Sequence, residues 1–198
     1  MIVKNGRRLC GSGGALATAP LVQSKSYFEV KVQQSGNWSI GIATRQTDLN
    51  RTKGGTDKES WCLSSDNIVR NNDEEIATVV GVSIKQAELI SDDLIPMTTA
   101  DTILPQEGDT IGVAYDHVEI NFYLNGKNLE VPVLNVKGTV FPALFGKKMF
   151  VRYVNDIELI LFVFHSVDDG AILDIILDNF SYGPPPGFEK IMIEQSLL

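Results

Sequence analysis

The chain has 198 residues, 43% hydrophobic and 21% charged, which is enough for one globular domain with a full core. Its net charge of −8 repels phosphate backbones and argues against nucleic acid or anionic membrane as main partner. Two cysteines, Cys10 and Cys62, with no C-x-x-C pair, make neither a disulfide framework nor a zinc site and read as thiols in a reducing compartment. Ile2 to Leu9 reads as a short first strand without an apolar signal region, so the cytosol or nucleus is expected. Gly11-Ser12-Gly13-Gly14 reads as a flexible linker, since it lacks the Lys-Ser/Thr pair and helix of a phosphate-binding loop. Pro20 to Ser26 is loop. Tyr27 to Val32 then alternates, with Phe28, Val30 and Val32 on one face and Tyr27, Glu29 and Lys31 on the other.

Ser35-Gly36-Asn37 turns the chain into Trp38 to Ala43. There Trp38, Ile40 and Ile42 face the core, while Ser39, Gly41 and Ala43 form a small-residue face that lets another layer come close. Thr44 to Ser60 has no periodicity and reads as a long exposed loop. Trp61-Cys62-Leu63 and Ile68-Val69-Arg70 are short strands about a turn, and Asn71 to Glu75 is an acidic turn. Thr78 to Ile103 departs from the pattern, with a short helix from Ile84 to Ile90 and Pro96 as a breaker. From Leu104 the alternation is clearest. Ile111, Val113 and Tyr115 alternate with Thr110, Gly112 and Ala114. Val118, Ile120, Phe122 and Leu124 then alternate with Glu119, Asn121 and Tyr123. Asp116-His117 has the spacing of a tight hairpin turn, and Asn125-Gly126 suits a type I′ turn.

Leu129 to Leu134 reads as a strand, Lys137-Gly138 as a turn, and Thr139 to Phe145 as a strand whose Pro142 points to a sheet edge or a bulge. Gly146 to Ser166 is again atypical; its apolar run Ile157 to Phe164 is far shorter than the roughly 20 residues of a membrane span. Ile172 to Leu177 resumes alternation. The tail Gly183-Pro184-Pro185-Pro186-Gly187-Phe188 is extended. Many short strands with almost no helical period predict an all-β sandwich, one domain over 1–198.

The chemistry of an enzyme is not legible. His117 lies in a hairpin turn and serves the turn, and His165 lies in the second atypical segment. No Gly-x-Ser-x-Gly elbow, H-E-x-x-H or phosphate loop occurs. The acids Asp73-Glu74-Glu75, Asp92-Asp93 and Asp168-Asp169 lack the spacing of a calcium loop and read as solvated turns. No catalytic residue, metal or cofactor is expected.

Several motifs fall in a recognisable order: Tyr27-Phe28-Glu29-Val30, Trp38-Ser39-Ile40-Gly41-Ile42-Ala43, and Leu104-Pro105 with Gly108-Asp109 and Ile111-Gly112-Val113. They continue through Tyr115-Asp116, Phe122-Tyr123-Leu124-Asn125-Gly126 and Phe141-Pro142-Ala143 to Asn179-Phe180. In this order and spacing the chain resembles the SPRY domain family. The resemblance implies a bent β-sandwich of two antiparallel sheets, used as a protein-interaction module that docks another protein or peptide on loops at one edge. The matching loops are Lys4 to Arg8, Leu49 to Asp57, and a segment rejoining at Val167-Asp168-Asp169-Gly170. The chain lacks the aromatic–glycine pair that peptide-binding members carry after the Phe-Pro-Ala strand, so their ligand does not carry over.

The candidate partner-binding residues are therefore Arg7, Arg8, Arg51 and Lys53 as cations for an acidic partner, Trp61 as a candidate apolar anchor at the start of a strand beside the loop, and Asp57, Asp168 and Asp169 on the same loops. A lectin-like carbohydrate-binding domain is the alternative. Two segments, about 78–100 and 146–166, interrupt the family pattern. Each is either translated read-through of a short intron or a lineage-specific loop, which a sandwich tolerates because loop-closure cost grows slowly with length.

Overall fold

The computed structural model describes residues 7–80, 105–146, 160–161 and 170–192; over these the backbone is strand, turn and coil, with no helix. The first seven strands are β1 (Arg8–Leu9), β2 (Gly13–Leu16), β3 (Ser26–Gln34), β4 (Trp38–Thr44), β5 (Ser60–Ser64), β6 (Ile68–Asn71) and β7 (Glu74–Thr78). The next eight are β8 (Thr110–Tyr115), β9 (Glu119–Leu124), β10 (Lys127–Asn128), β11 (Val133–Leu134), β12 (Val140–Gly146), β13 (Ile160–Leu161), β14 (Ile172–Ile176) and β15 (Glu189–Lys190). One sheet runs β1-β14-β3-β8-β9-β10, with β11 also on β9 and β15 on β3. The other runs β13-β2-β12-β4-β5-β6-β7. Pairing among these strands is antiparallel except for β15, which lies parallel to β3.

Period-two alternation accounts for the core. Phe28, Val30 and Val32 of β3, Ile111 and Val113 of β8, and Ile120 and Phe122 of β9 are buried in one cluster. Trp38, Ile40 and Ile42 of β4, with Trp61 and Leu63 of β5, meet them from the other sheet. Burying such side chains fully contributes about 1.5–3 kcal/mol each, so these two faces drive the closure of the sandwich. Turn chemistry also follows the sequence. Asn125 and Gly126 have φ of +50° and +78°, the two positive values a type I′ turn needs, and Leu124 pairs with Lys127 across them.

Elsewhere the structure corrects the expectations. Gly11-Ser12-Gly13-Gly14 is not a linker, because Gly13 and Gly14 open the buried strand β2, where Gly14 pairs with Phe145 of β12. Of the turn expected over Asn71 to Glu75, Glu74 and Glu75 instead open strand β7: Asn72 and Asp73, with φ of +55° and +62°, form the hairpin before it. Of Leu129 to Leu134 only Val133–Leu134 is strand. Val118 is not on the core face; it sits in the turn before β9 and is 67% exposed, because the Asp116 carboxylate accepts the N–H of both Val118 and Glu119 and tightens the chain there.

Pro142 is at neither an edge nor a bulge: β12 is flanked by β2 and β4 in regular register, with Pro142 opposite Ile42. Its carbonyl accepts from Ala17 N–H at 3.0 Å, so its N also faces the β2 side, just beyond the last paired residue there. The missing N–H therefore removes no bond from the β12–β4 ladder. The helix expected over 84–90, nearly all of the two atypical segments, and His165 lie outside the described residues.

The outward face of β3 is also covered. Tyr27 and Glu29 are buried, with Glu29 fully so. The Glu29 carboxylate accepts four hydrogen bonds: Tyr27 Oη at 3.0 Å, Ser181 N at 2.7 Å, and Tyr182 N and Gly183 N both at 3.0 Å. Burial, then the neighbouring Glu29 charge, pushes the Tyr27 phenol far above its ordinary value and keeps it a donor. Phe180 packs edge-on to Tyr27 at 5.1 Å, so the chain after β14 is bound down over this face.

Candidate functional site

The segment from Thr44 to Ser60, expected as an exposed loop, is laid over the outer face of the second sheet and fastened there. Leu16, Ala43, Cys62, Phe141, Ala143 and Phe145 form a separate buried cluster on that face, and Leu49 of the loop packs against it. The Phe145 ring is clasped between two glycines: an added Cβ would lie 2.5 Å from it at Gly14 and 2.5 Å at Gly54. Burial pushes the Cys62 thiol in the same cluster far up, so it stays protonated.

Asp57 holds the loop together from within. Its carboxylate accepts Thr47 Oγ1 at 2.9 Å, Asp48 N at 3.0 Å, Glu59 N at 3.1 Å and Ser60 Oγ at 2.7 Å. Partial burial alone would raise this carboxyl, but the bonds from Asp48, Ser60, Thr47 and Glu59 together outweigh burial and lower it. Thr44 and Glu59 tie the base of the loop through a backbone bond of 2.8 Å and an Oγ1–Oε2 bond of 2.6 Å. Gly14 N donates to Leu49 O at 2.7 Å and fixes the far side to β2.

The expected binding residues fall into separate networks. Arg51 is exposed; its guanidinium donates to Thr56 O at 2.6 Å and stands 3.5 Å from Asp48. Lys53 lies 3.1 Å from Asp66, which also takes the nearly buried Arg70 at 2.9 Å. Partial burial raises the Asp66 carboxyl, but bonds from Arg70 and Lys53 reverse this and leave it lowered. Arg8 grips Asp174, its partner in the register of β14, with two bonds of 2.6 and 2.7 Å, and that grip raises the guanidinium pKa. Arg7 pairs with Asp178. Arg8 lies in the first sheet with Arg7 just before it, whereas Arg51 and Lys53 are on the loop over the second.

Two expectations need correction. Trp61 is 5% exposed and lies in the core, where its place on β5 opposite Ile42 directs it inward, so it offers no apolar anchor. Asp57 spends its acceptor capacity inside the loop. Asp168 and Asp169 lie outside the described residues. Sequence reasoning missed Arg45 and Lys58, exposed on the same loop; Arg45 lies over the Phe141 ring at 4.6 Å. Their signal was present, since the loop carries four cations (Arg45, Arg51, Lys53, Lys58) and three acids (Asp48, Asp57, Glu59) in a strongly acidic chain.

His117, in αL conformation at the β8–β9 turn, directs Nε2 to Gln23 O at 2.7 Å; with a carbonyl as acceptor that nitrogen carries the proton and is a donor. Among the described residues no three His, Cys, Asp or Glu side chains gather to hold a metal, and no helix is long and apolar enough to cross a membrane.

The SPRY domain profile matches residues 25–152. The chain belongs to the SPRY domain family. Its relatives include SPRY domain-containing protein 7 of Mus musculus, Homo sapiens and Gallus gallus, each 42% identical over 197 residues, covering 100% of this chain and 80% of the relative. The crystal structure of the SPRY domain of human HERC1 superposes with a TM-score of 0.52 at 18% identity, covering 88% of this chain and 91% of that one, which shows the shared fold. SPRY domains as a class are protein-interaction modules. In this SPRY domain the loop clamped over Phe145 is the largest described segment between strands that is anchored at its base, centre and far side while keeping charged side chains outward.

Proposed function

We propose that this SPRY domain is a non-enzymatic protein-binding module and that residues 45–59 present its contact surface to an acidic patch of another protein. The observation that carries the reading is a contrast of charge. The chain as a whole is at −8, yet this loop holds four cations to three acids, a net of +1, with Arg45, Arg51 and Lys58 exposed. Exposed cations that outnumber the acids on one loop of an acidic molecule steer and orient an acidic partner more than they add raw affinity. The fastening by Asp57 and Phe145 lowers the ordering cost of docking, because the loop is already shaped. Arg7 and Arg8, paired to Asp178 and Asp174, hold β1 to its neighbours and lie outside the proposed surface.

The test uses the full chain and the double variant Arg51→Glu/Lys58→Glu, matched for thermal midpoint, as baits in cell lysate. A protein retained by the first and lost by the second is expected. Titration of that protein should give an affinity reduced roughly tenfold or more and a shallower salt dependence. Equal retention of the same proteins by both baits would remove this loop from the surface. Retention that disappears when the captured protein is deglycosylated would replace the reading with carbohydrate binding.

A further inference from the structure

The proline run in the tail is held as an arch between two anchors. On its N-terminal side the Glu29 carboxylate takes the N–H groups of Ser181, Tyr182 and Gly183. On its C-terminal side β15 pairs with β3, and Glu189 N donates to Lys25 O at 3.1 Å. Gln23 then acts like a further piece of strand, its amide donating to Lys190 O at 2.8 Å and accepting Met192 N at 2.9 Å. Between the anchors Pro184, Pro186 and Gly187 are exposed, and Pro185 and Phe188 are half-buried.

The arch has a defined shape. Three consecutive prolines fix φ near −65° and favour a polyproline II turn, which offers no N–H of its own and here leaves the rings of Pro184 and Pro186 exposed. Phe188 N donates to Pro185 O at 3.0 Å, and Gly187 between them has φ of +83°. Pro186 followed by a glycine of positive φ is a type II turn, so the extended run ends after three residues. Two aromatic rings bracket it. Tyr182, 54% exposed, rests on Gly126, and Phe188 lies under the Lys25 ammonium at 5.2 Å. An exposed proline run with no N–H to satisfy, held at both ends in the form that aromatic-lined grooves select, has little ordering cost left to lose on binding.

We propose that the Pro184–Gly187 arch is a ligand, a pre-shaped proline epitope displayed to an aromatic-lined, proline-reading domain of another protein. On this surface the chain is the one that is read, whereas on the 45–59 loop it is the reader. The turn narrows the partner's chemistry. Three positions after Pro184 comes Gly187, so the P-x-x-P spacing that SH3 grooves take is absent. The arch fits a shorter groove that holds adjacent prolines and accepts a glycine turn.

The experiment titrates the full chain, by calorimetry, with purified WW, EVH1, GYF and SH3 domains. Binding by at least one of the first three types is expected. It should weaken roughly tenfold or more in Pro184→Ala/Pro186→Ala. It should be unchanged in Pro132→Ala, a change at another exposed proline, and in Arg51→Glu/Lys58→Glu. A peptide of residues 181–190 should bind the same domain more weakly than the folded chain, since it lacks the two anchors. Absence of binding across the panel, binding by SH3 domains alone, or binding that survives the double proline substitution in a chain with an unchanged thermal midpoint would each overturn the proposal.

Discussion

Glu29 is a fully buried acid that holds the chain down by charge-assisted bonds to three successive backbone N–H groups and a tyrosine hydroxyl. Bonds to a charged acceptor contribute about 1.5–3 kcal/mol each, and a donor left facing nothing costs about as much. Glu29→Gln keeps the size of the side chain but removes the charge and turns one acceptor into a donor aimed at backbone N–H. It should lower the unfolding free energy by about 3 kcal/mol in urea titration and speed hydrogen exchange at Ser181, Tyr182 and Gly183. A loss under about 1 kcal/mol with unchanged exchange there would mean that ring packing of Phe180 on Tyr27, and not the carboxylate, holds the segment. Nothing local marks Glu29 in the sequence. Alternation sets it outward with Tyr27 and Lys31, and only donors some 150 residues away make its burial affordable.

At the scale of one element, the 45–59 loop depends on the Asp57 carboxylate. Because that carboxyl lies below its ordinary value in the fold, the unfolded chain takes up its proton first as the solution is acidified. Its contribution is therefore complete at neutral pH and is lost as pH falls below about 4 and through the lower folded value. Asp57→Asn should destabilise the protein at pH 7 and flatten the acid limb of the stability curve, measured by thermal midpoint from pH 7 to pH 3. An acid limb as steep as that of the parent would exclude Asp57 as a source of it. Strands β3, β4, β8 and β9 were legible because period-two alternation and turn residues are local signals. The clasp of Gly14 and Gly54 on Phe145 was not, since it joins three distant segments, and the loop's aperiodic sequence concealed that its Leu49 is an apolar contact. Likewise Trp61 could be placed on a strand, but its face follows from pairing with Ile42 rather than from its neighbours in sequence. Of the candidate site, the loop itself was legible. Which of its charges are spent internally was not, because that depends on distances the sequence does not contain.

For the molecule as a whole, strand order decides cooperativity. In the first sheet β14 lies between β1 and β3, so the penultimate strand among the described residues separates two of the earliest. A chain ending at Gly170 keeps most of the apolar core yet leaves β1 without a partner and one side of β3 open from Glu29 to Gln34. It should show no cooperative thermal transition and should bind a dye for exposed apolar surface, whereas a sharp melt would mean that the second sheet folds alone. The same order has a consequence at the ribosome. At about 5–20 residues per second, the interval between synthesis of Gln34 and of Ile172 lasts roughly 7–28 s. Throughout it the β3 edge, with Phe28, Val30 and Val32 beside it, has a vacant slot that any passing strand can enter. The nascent polypeptide must be shielded for that time, so demand on chaperones, rather than the stability of the finished fold, would set how much of it a cell can make.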